Sequence, residues 1–255
     1  MLSECDTPNS GSVRRLFKSC HRMRAMIDSA LELGTGRVLV DDADNPTVAA
    51  IVYAPMVLMA GDCESRCARD YLGSIPEKIP VVLPDEDWER VFRRIHGSKT
   101  MAQRRTMLNP KSLDIEHVRT LKGRLPEGFI LCEMDESSIL SMDKTLTKSI
   151  ETFYGVARFV EEGVGYCVKH GELVVSVAHT AFPFVRDFEV QVSTLEKPEY
   201  QRQGLATVAC AALIEYALDH KLVPHWDAAN DASVNLALKL GYSNPSTWYL
   251  YSWRQ

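Results

Sequence analysis

The residues best suited to chemistry in this sequence form the run Gln201-Arg202-Gln203-Gly204-Leu205-Ala206. The mostly apolar stretch from Leu205 to His220 predicts a helix that begins directly after the glycine. No Ser, Thr, Asp or Asn occupies its cap position, so the first N–H groups lack partners at the positive end of the helix dipole. The small residues Gly204 and Ala206 allow an anion to approach these groups. The run therefore predicts an anion-binding loop of the kind that holds a pyrophosphate.

The elements that position this loop can also be predicted. Phe188–Thr194 alternates apolar and polar residues, which indicates a strand with one buried face leading into the loop. After the helix, Lys221–Asp227 is expected to form a short strand. Asn230 then opens a second helix that ends at Gly241-Tyr242. The order is strand, anion loop, helix, strand, helix.

These residues carry a family resemblance. Gln201-x-x-Gly204-x-Ala206 resembles the Q/R-x-x-G-x-G/A signature of the GNAT N-acetyltransferases, a loop that holds coenzyme A. The downstream stretch is similar to one bacterial GNAT subfamily in Trp226-Asp227-Ala228-Ala229-Asn230, Ser233, Leu236-Ala237 and Lys239-Leu240-Gly241-Tyr242. The resemblance implies acetyl-CoA as co-substrate and an amine, on a small molecule or on a protein, as acceptor.

The resemblance also implies site residues. The diphosphate would be held by Gln201, Arg202, Gln203, Gly204, Leu205 and Ala206. In the family, the strand before the loop separates from its neighbour, and its backbone binds the pantetheine arm and the thioester oxygen. Val192, Ser193 and Thr194 would occupy that position, with Asn230 and Ser233 near the pantetheine or adenosine end.

Glu189 is the candidate general base, because it shares a strand face with Gln191 and Ser193. Many family members place a strand carboxylate close to the acceptor amine. A carboxylate with an ordinary pKa near 4.3 needs burial to act as a base at neutral pH. The alternative is a charge on a solvated strand face. His179 and His225, near predicted strand ends, could shuttle protons or serve as hydrogen-bonded structural residues.

The general acid departs from the family pattern. Many members place a Tyr in the second helix where this sequence has Ala237, which cannot deliver a proton. Tyr242 or Tyr200 could replace it, although an aromatic residue after a helix-ending glycine is often a core residue. A thiol pKa near 8.5 also allows the thiolate to leave without an acid.

Composition limits the class of protein. A net charge of -5 argues against a general nucleic-acid binder. Seven scattered cysteines favour a reducing compartment, and Cys63-x-x-x-Cys67 lacks the second pair of a zinc site, so no metal is expected. The N-terminus shows no signal peptide. The longest apolar stretch, Val48–Ala60, is shorter than the ~20 residues of a membrane-spanning helix. A cytoplasmic protein without membrane contact is expected.

The first half of the chain has recognisable elements of its own. A helix is predicted from its cap at Ser12 to Gly34, followed by strands at Arg37–Val40 and Thr47–Ala60. Asp85 starts an amphipathic helix. A connection is predicted somewhere within the polar segment 99–126.

The second half has the element order expected of a GNAT domain. A strand at Phe129–Glu133 is followed by helices at about 137–145 and 150–161, and by a hairpin of Gly163–Val168 and Leu173–Ala178. The run Thr247–Trp253 is expected to close the sheet. We therefore predict an N-terminal α/β domain of unassigned role, 1–125, and a GNAT domain, 126–255. The implied fold is α/β (α+β), with a mixed, mostly antiparallel sheet flanked by helices.

The N-terminal half resembles a second copy of the later hairpin in Gly36–Val40 and Thr47–Val52. No Q-x-x-G-x-G/A signature occurs before residue 201. A degenerate GNAT-like copy would therefore not bind the cofactor in the same way. It would shape the acceptor pocket or an interface, and a homodimer remains open.

Two functions follow from the sequence. The first is an acetyl-CoA-dependent N-acetyltransferase whose acceptor is unidentified. The alternative is a non-catalytic acyl-CoA-binding module with a regulatory or scaffold role, which the missing Tyr at Ala237 keeps open. The two differ in whether bound acetyl-CoA is turned over in the presence of an amine.

Overall fold

The computed structural model describes residues 1–254. The chain divides into two compact units: unit 1 comprises Met1–Arg105 and the residues from Thr247 onward, and unit 2 comprises Thr106–Ser246. This boundary differs from the division at residues 125 and 126 predicted from the sequence.

The first part of the chain supplies most of unit 1. Its helices and strands are β1 (Ser3–Glu4), α1 (Gly11–Leu16), α2 (Arg24–Leu33), β2 (Arg37–Val40), β3 (Val48–Tyr53), β4 (Met56–Gly61), α3 (Arg66–Ser74), β5 (Val81–Val82) and α4 (Glu86–His96), followed by β6 (Thr100–Asn109), which leads into unit 2.

Unit 2 continues the chain to its last strand. Its elements are α5 (Ile115–Lys122), β7 (Phe129–Glu133), α6 (Glu136–Ser141), α7 (Lys144–Phe153), α8 (Val156–Glu162), β8 (Gly165–His170), β9 (Leu173–Thr180), β10 (Asp187–Thr194), α9 (Leu205–Asp219), β11 (Val223–Ala228) and α10 (Asp231–Leu240), followed by β12 (Ser243–Trp253), which leads back into unit 1.

The two units repeat one strand pattern. In unit 2, β7, β8, β9 and β10 pair antiparallel in that order, β10 pairs parallel with β11, and β11 pairs antiparallel with β6. In unit 1, β1 to β4 pair antiparallel, β4 pairs parallel with β5, and β5 pairs antiparallel with β12. In both, a helix connects the parallel strands, α9 in unit 2 and α3 in unit 1.

The last strand of each pattern comes from elsewhere in the chain. β12 follows α10 of unit 2 but pairs with β5, with Leu250 opposite Val82. β6 follows α4 of unit 1 but pairs with β11, with Leu108 opposite Trp226. The two halves therefore exchange their final strands. The closing strand expected at Thr247–Trp253 exists, and it pairs with β5 of unit 1.

Three sequence predictions of local structure were wrong. The helix from Ser12 to Gly34 is two helices, because the first ends at Leu16 and the second begins only at Arg24, after Met23 with a left-handed φ of 53°; Ser10, not Ser12, caps the first. The strand Thr47–Ala60 is the hairpin β3–β4, with Pro55 in its turn. The helical region 137–161 contains three helices rather than two.

The segment 99–126, within which the sequence predicts a connection, includes the division between the two units at Arg105 and Thr106. It contains β6 and α5. Its basic residues belong partly to α5, where Arg119 Nε donates to Glu215 Oε1 of α9 at 3.0 Å and Lys122 also pairs with Glu215. The apolar residues Val118 and Leu121 on the same helix are buried. The charges that suggested a solvated linker attach α5 to α9.

The core of unit 2 is formed by α9 together with buried residues of α6 to α8, among them Ile139, Ile150 and Phe159. α9 is buried along most of its length, and its side chains pack with Phe188, Trp226 and Tyr242. Each Å² of buried apolar surface contributes about 25 cal/mol of stability. This burial holds α9 against the sheet, so the helix is a rigid base for the loop before it. In residues 1–254, no helix is both long and apolar enough to cross a membrane.

Candidate functional site

The start of α9 is open to a ligand. Gly204 precedes its first residue with φ 84° and ψ 2°, and no side chain caps the helix. A Cβ built on Gly204 meets no atom within 4 Å, so the space above the glycine is unfilled. The first N–H groups of a helix have no acceptor within the helix. These are the N–H groups that the sequence predicts to bind an anion, and that binding stays a prediction.

The glutamines of the loop act on the protein itself. Gln201 Nε2 donates to the Leu195 carbonyl at 2.7 Å, and Gln203 Nε2 donates to the Glu199 carbonyl at 3.2 Å. Both were predicted to hold the diphosphate. Their side chains instead tie the loop to the segment after β10. Their contribution to ligand binding would therefore come from backbone N–H groups and from a fixed loop shape.

Two cations lie near the open helix start. Arg202 is exposed and has φ 59°, and it makes no ion pair within residues 1–254. Lys239 Nζ of α10 donates to Thr207 Oγ1, in the first turn of α9, at 3.3 Å. Cations at the positive end of a helix dipole are unfavourable unless an anion is present. Their placement therefore favours a bound anion.

Lys239 and Thr207 were not among the predicted site residues. Thr207 could have been found, because it lies one turn after Gly204 on a predicted helix. The position of Lys239 depends on how α10 packs against α9, which no sequence spacing reveals. Leu205 and Ala206 form the beginning of α9, as predicted.

β10 and β11 separate beside this loop. Their parallel register pairs Asp187 with Val223, Phe188 with Pro224 and Glu189 with His225, and then ends. On its other side β10 stays paired with β9 through Thr194. The segment Val192–Thr194 therefore lies beyond the point of separation. This is where an extended ligand arm could reach the strand backbone.

A cavity of 520 Å³ adjoins the end of β10. On one side it is lined by Ser193 and the following residues up to Lys197, and on the other by Asp143, Thr145 and Leu146 at the start of α7. The Thr145 hydroxyl and N–H both donate to Asp143, and these hydrogen bonds lower the pKa of its carboxyl. The ordered helix start gives the cavity a defined wall.

Glu189 lies at the fork between the separating strands. Its side chain is 7% exposed and therefore lies in the buried environment that a base requires. It shares a sheet face with Gln191 and Ser193, and it stands opposite His225. His225 Nε2 lies 3.8 Å from Asp187 Oδ2. The fork thus gathers ionisable groups from two neighbouring strands.

Tyr242 has a core environment. It is 3% exposed, its hydroxyl donates to the Pro224 carbonyl at 2.9 Å, and its ring centroid lies 5.4 Å from that of Trp226. Burial raises the pKa of this phenol well above its ordinary value. Ala237, at the position where a family Tyr would lie, is fully buried. The Tyr242 proton is already engaged with the protein backbone.

Asn230 and Ser233 have local partners. The Asn230 side chain caps α10 by accepting from the Ser233 N–H at 2.9 Å. Ser233 Oγ accepts from Trp226 Nε1 at 3.1 Å. These bonds fix α10 on β11. Both residues therefore support the wall of the fork, and direct ligand contact stays a prediction.

Among the described residues of unit 1, the helix that corresponds to α9 begins differently. Helix α3, which connects its parallel strands, is capped by Ser65, whose Oγ accepts from the Ala68 N–H at 3.1 Å. Asp62 and Glu64 bring carboxylates to the preceding loop, where Asp62 Oδ1 accepts from the Glu64 N–H. The Ser65 cap therefore occupies one N–H group of this helix start, and Glu64 pairs with Arg69 and Arg94. Among residues 1–254, no cluster of His, Cys, Asp and Glu is arranged to hold a metal ion.

Comparison with known proteins agrees with this geometry. The sequence matches the family described as GNAT acetyltransferase over residues 14–251. It is 28% identical over 229 residues to YdfB of Bacillus subtilis (strain 168), named as an uncharacterized N-acetyltransferase, and the match covers 85% of each protein.

Solved structures confirm the predicted fold class. The crystal structure of a GCN5-related N-acetyltransferase-like protein from Streptococcus suis 89/1591 has a TM-score of 0.78 and 27% identity, covering 95% of this chain and 97% of that one. A tandem GNAT protein from the clavulanic acid biosynthesis pathway shares the fold, with a TM-score of 0.56, 14% identity and coverage of 89% and 86%. Since the family match extends over most of its length, the chain belongs to the GNAT acetyltransferase family.

Proposed function

We propose that the protein transfers the acetyl group of acetyl-CoA to an amine. The observation that carries this proposal is the uncapped start of α9 at Gly204, which lies directly after the strand that separates from β11. One feature suits a diphosphate, and the other suits the extended arm attached to it. A family of acetyltransferases provides the reaction class.

Each part of the loop has a role in holding the donor. The N–H groups after Gly204 would bind the diphosphate, and Arg202 and Lys239 would balance its charge. The backbone of Val192–Thr194 would hold the pantetheine arm beside the 520 Å³ cavity. Bound acetyl-CoA supplies a thioester carbonyl that a neutral amine can attack.

Glu189 would prepare the acceptor. An amine must lose a proton to be acetylated, and a carboxylate at the fork can receive it. Proton return to the leaving sulfur is not assigned to Tyr242, because that hydroxyl donates to Pro224. A thiol pKa near 8.5 makes the thiolate a tolerable leaving group without a dedicated acid.

The test is turnover. Purified protein is incubated with acetyl-CoA and a panel of primary amines, secondary amines and lysine peptides, while free thiol is measured and products are identified by mass. Amine-dependent thiol release with a mass increase of one acetyl group is expected. Tight binding of acetyl-CoA without turnover on any acceptor would overturn the proposal in favour of a non-catalytic role.

A further inference from the structure

A cavity of 230 Å³ lies between α1 and α2 in unit 1. Every charged residue that lines it is a cation, and among residues 1–254 no carboxylate does; the lining consists of Gly11, Arg14, Arg15, Lys18, Arg24 and Leu31. The sequence carries five Lys and Arg residues and no acidic residue between positions 14 and 24. The turn between the two helices gathers four of these five cations around one space.

The fifth cation has a structural role and does not line the cavity. Arg22 donates to the Leu83 carbonyl, pairs with Glu89 Oε1 at 3.0 Å and lies over the Trp248 ring, 5.5 Å from its centroid. The protein itself therefore balances the charge of Arg22. Two of the cations around the cavity lack such partners.

The other two are oriented by carboxylates of α2. Arg14 Nη2 donates to Glu32 Oε1 at 3.2 Å, and Arg24 Nε donates to Asp28 Oδ2 at 2.9 Å. A guanidinium has five N–H donors, so each arginine keeps donors for a further acceptor. Because these ion pairs already fix the guanidinium groups, little side-chain entropy is lost when a ligand binds them.

Arg15 and Lys18 supply positive charge that the protein does not balance. Both are exposed at the cavity. Arg15 Nε donates to the Gly11 carbonyl at 3.4 Å, and neither residue forms an ion pair within residues 1–254. The four cations against the two carboxylates of α2 leave two positive charges at the cavity, in a protein whose net charge is -5.

The start of α2 adds to the positive potential. No side chain caps this helix, its first turn has no acidic residue, and its first residue is Arg24. The first N–H groups of a helix carry partial positive charge, so a cation at this end is unfavourable without a nearby anion. Asp28 lies one turn later. It balances the Arg24 guanidinium but lies beyond the first turn, where a carboxylate would offset the helix dipole.

We propose that the cavity between α1 and α2 binds a small phosphate-bearing molecule. A phosphate monoester carries about -1.5 to -2 charges at pH 7, which matches the two unbalanced cations. Its oxygens accept charge-assisted hydrogen bonds from guanidinium groups, which bind phosphate in paired contacts. The cavity belongs to unit 1, whereas the proposed diphosphate site at Gly204 belongs to unit 2.

The cavity also limits the class of ligand. Its volume is below the ~300–1,000 Å³ of pockets for drug-sized molecules, so a whole nucleotide cofactor does not fit. No aromatic ring lines it, and a nucleotide base would therefore find nothing to stack on. The ligand class is a phosphate monoester with a short polar body.

The experiment measures binding of glycerol phosphate by titration calorimetry. The parent protein is the Gly204→Val variant, which lowers anion binding at the start of α9. Arg15→Gln and Lys18→Gln are added together to this parent. Since each removes a charge-assisted hydrogen bond, we expect the affinity to fall at least tenfold. Malonate, a dianion without phosphate, should bind the parent at least tenfold more weakly than glycerol phosphate.

A matched pair of substitutions separates the cavity from net charge. Arg66→Gln and Arg90→Gln together remove the same charge from exposed arginines of unit 1, which pair with Asp70 and Asp87, and should change the affinity less than twofold. All variants should unfold within about 2 °C of the parent, because the replaced side chains are exposed. Equal losses in the two pairs, or equal affinities for malonate and glycerol phosphate, would overturn the inference.

Discussion

Glu189 and His225 form the last parallel pair between β10 and β11, and the strands separate immediately after them. The Glu189 carboxylate therefore lies where the two strands begin to separate. The uncapped helix start at Gly204 follows the other end of β10, after Thr194. A ligand that binds through both a diphosphate and a reactive thioester needs these two features on one strand and its following loop. The arrangement places the proposed base at the end where the acyl group would lie.

Glu189→Gln should reduce kcat strongly. The amide keeps the shape of the side chain but cannot accept the acceptor's proton, and loss of a general base costs about 10² to 10⁴ in rate. Steady-state kinetics should show a nearly unchanged KM for acetyl-CoA. Glu172→Gln, in the exposed turn between β8 and β9, is the control and should retain wild-type rates. Full activity of Glu189→Gln would exclude the carboxylate as the base.

Gly204→Val should weaken cofactor binding. Valine adds about 1 to 2 kcal/mol of backbone strain at φ 84°, and its side chain fills the space above the helix start. Loss of one or two charge-assisted hydrogen bonds lowers affinity by about 10- to 100-fold. Titration calorimetry with coenzyme A measures this change.

Gly171→Val is the matched control for that variant. Gly171 also has a positive φ, 59°, with no atom within 4 Å of a built Cβ, and it lies in the turn between β8 and β9. Its substitution carries similar strain without touching the loop. Equal loss of affinity in both variants would mean that destabilisation, not the phosphate site, explains the effect.

The loop and its neighbouring elements could be predicted because their signals are local. The alternation in β10, the glycine before an apolar helix, and the Asn230 and Gly241 ends of α10 each depend on residues close in sequence. These are also the elements that build the site. The second-unit hairpin was predicted for the same reason.

Long-range pairing could not be predicted in this way. The exchange depends on β12 pairing with β5 and β6 pairing with β11. The alternation of apolar and polar residues shows that a segment is a strand, but it does not show which strand it pairs with. The Lys239–Thr207 contact likewise requires the packing of α10 on α9. The attachment of α5 to α9 through Arg119 and Glu215 likewise joins residues that lie far apart in sequence.

The protein should bind one coenzyme A per chain. Unit 1 repeats the strand pattern of unit 2, but Ser65 caps its α3, and Asp62 and Glu64 lie in the preceding loop. The Ser65 cap and the Asp62 carboxylate disfavour a diphosphate there. A calorimetric stoichiometry near one is expected for the wild type, and Gly204→Val should bind coenzyme A about 10- to 100-fold more weakly. A stoichiometry of two would show that the first unit retains a site.

Tyr242→Phe should affect stability more than catalysis. Removal of the Tyr242 hydroxyl leaves the buried Pro224 carbonyl without this donor, which lowers the free energy of unfolding by about 1 to 3 kcal/mol. The control is Tyr249→Phe, at an exposed site on β12. Urea unfolding and kcat are measured on both. A large fall in kcat with unchanged stability would instead assign the general acid to Tyr242.

His179 should make the protein less stable as the pH falls below neutrality. Burial lowers the pKa of His179 from its ordinary 6.5 to about 4, so between these values the unfolded chain binds a proton that the folded chain does not. Stability therefore rises with pH across this window, and the residue adds no further dependence above it. Between pH 7 and pH 5 the expected loss from this group is about 2 kcal/mol.

The His179→Gln variant isolates that contribution. Glutamine can still accept from Ser149 but has no proton to gain, so the loss between pH 7 and pH 5 should be smaller than in the wild type by about 2 kcal/mol. Urea unfolding at both pH values gives the two differences, and the carboxylates common to both proteins cancel. Equal losses would mean that His179 titrates alike in the folded and unfolded chains. The folded chain would then hold a protonated His179 at pH 5, and the lowered pKa of the buried imidazole would be wrong.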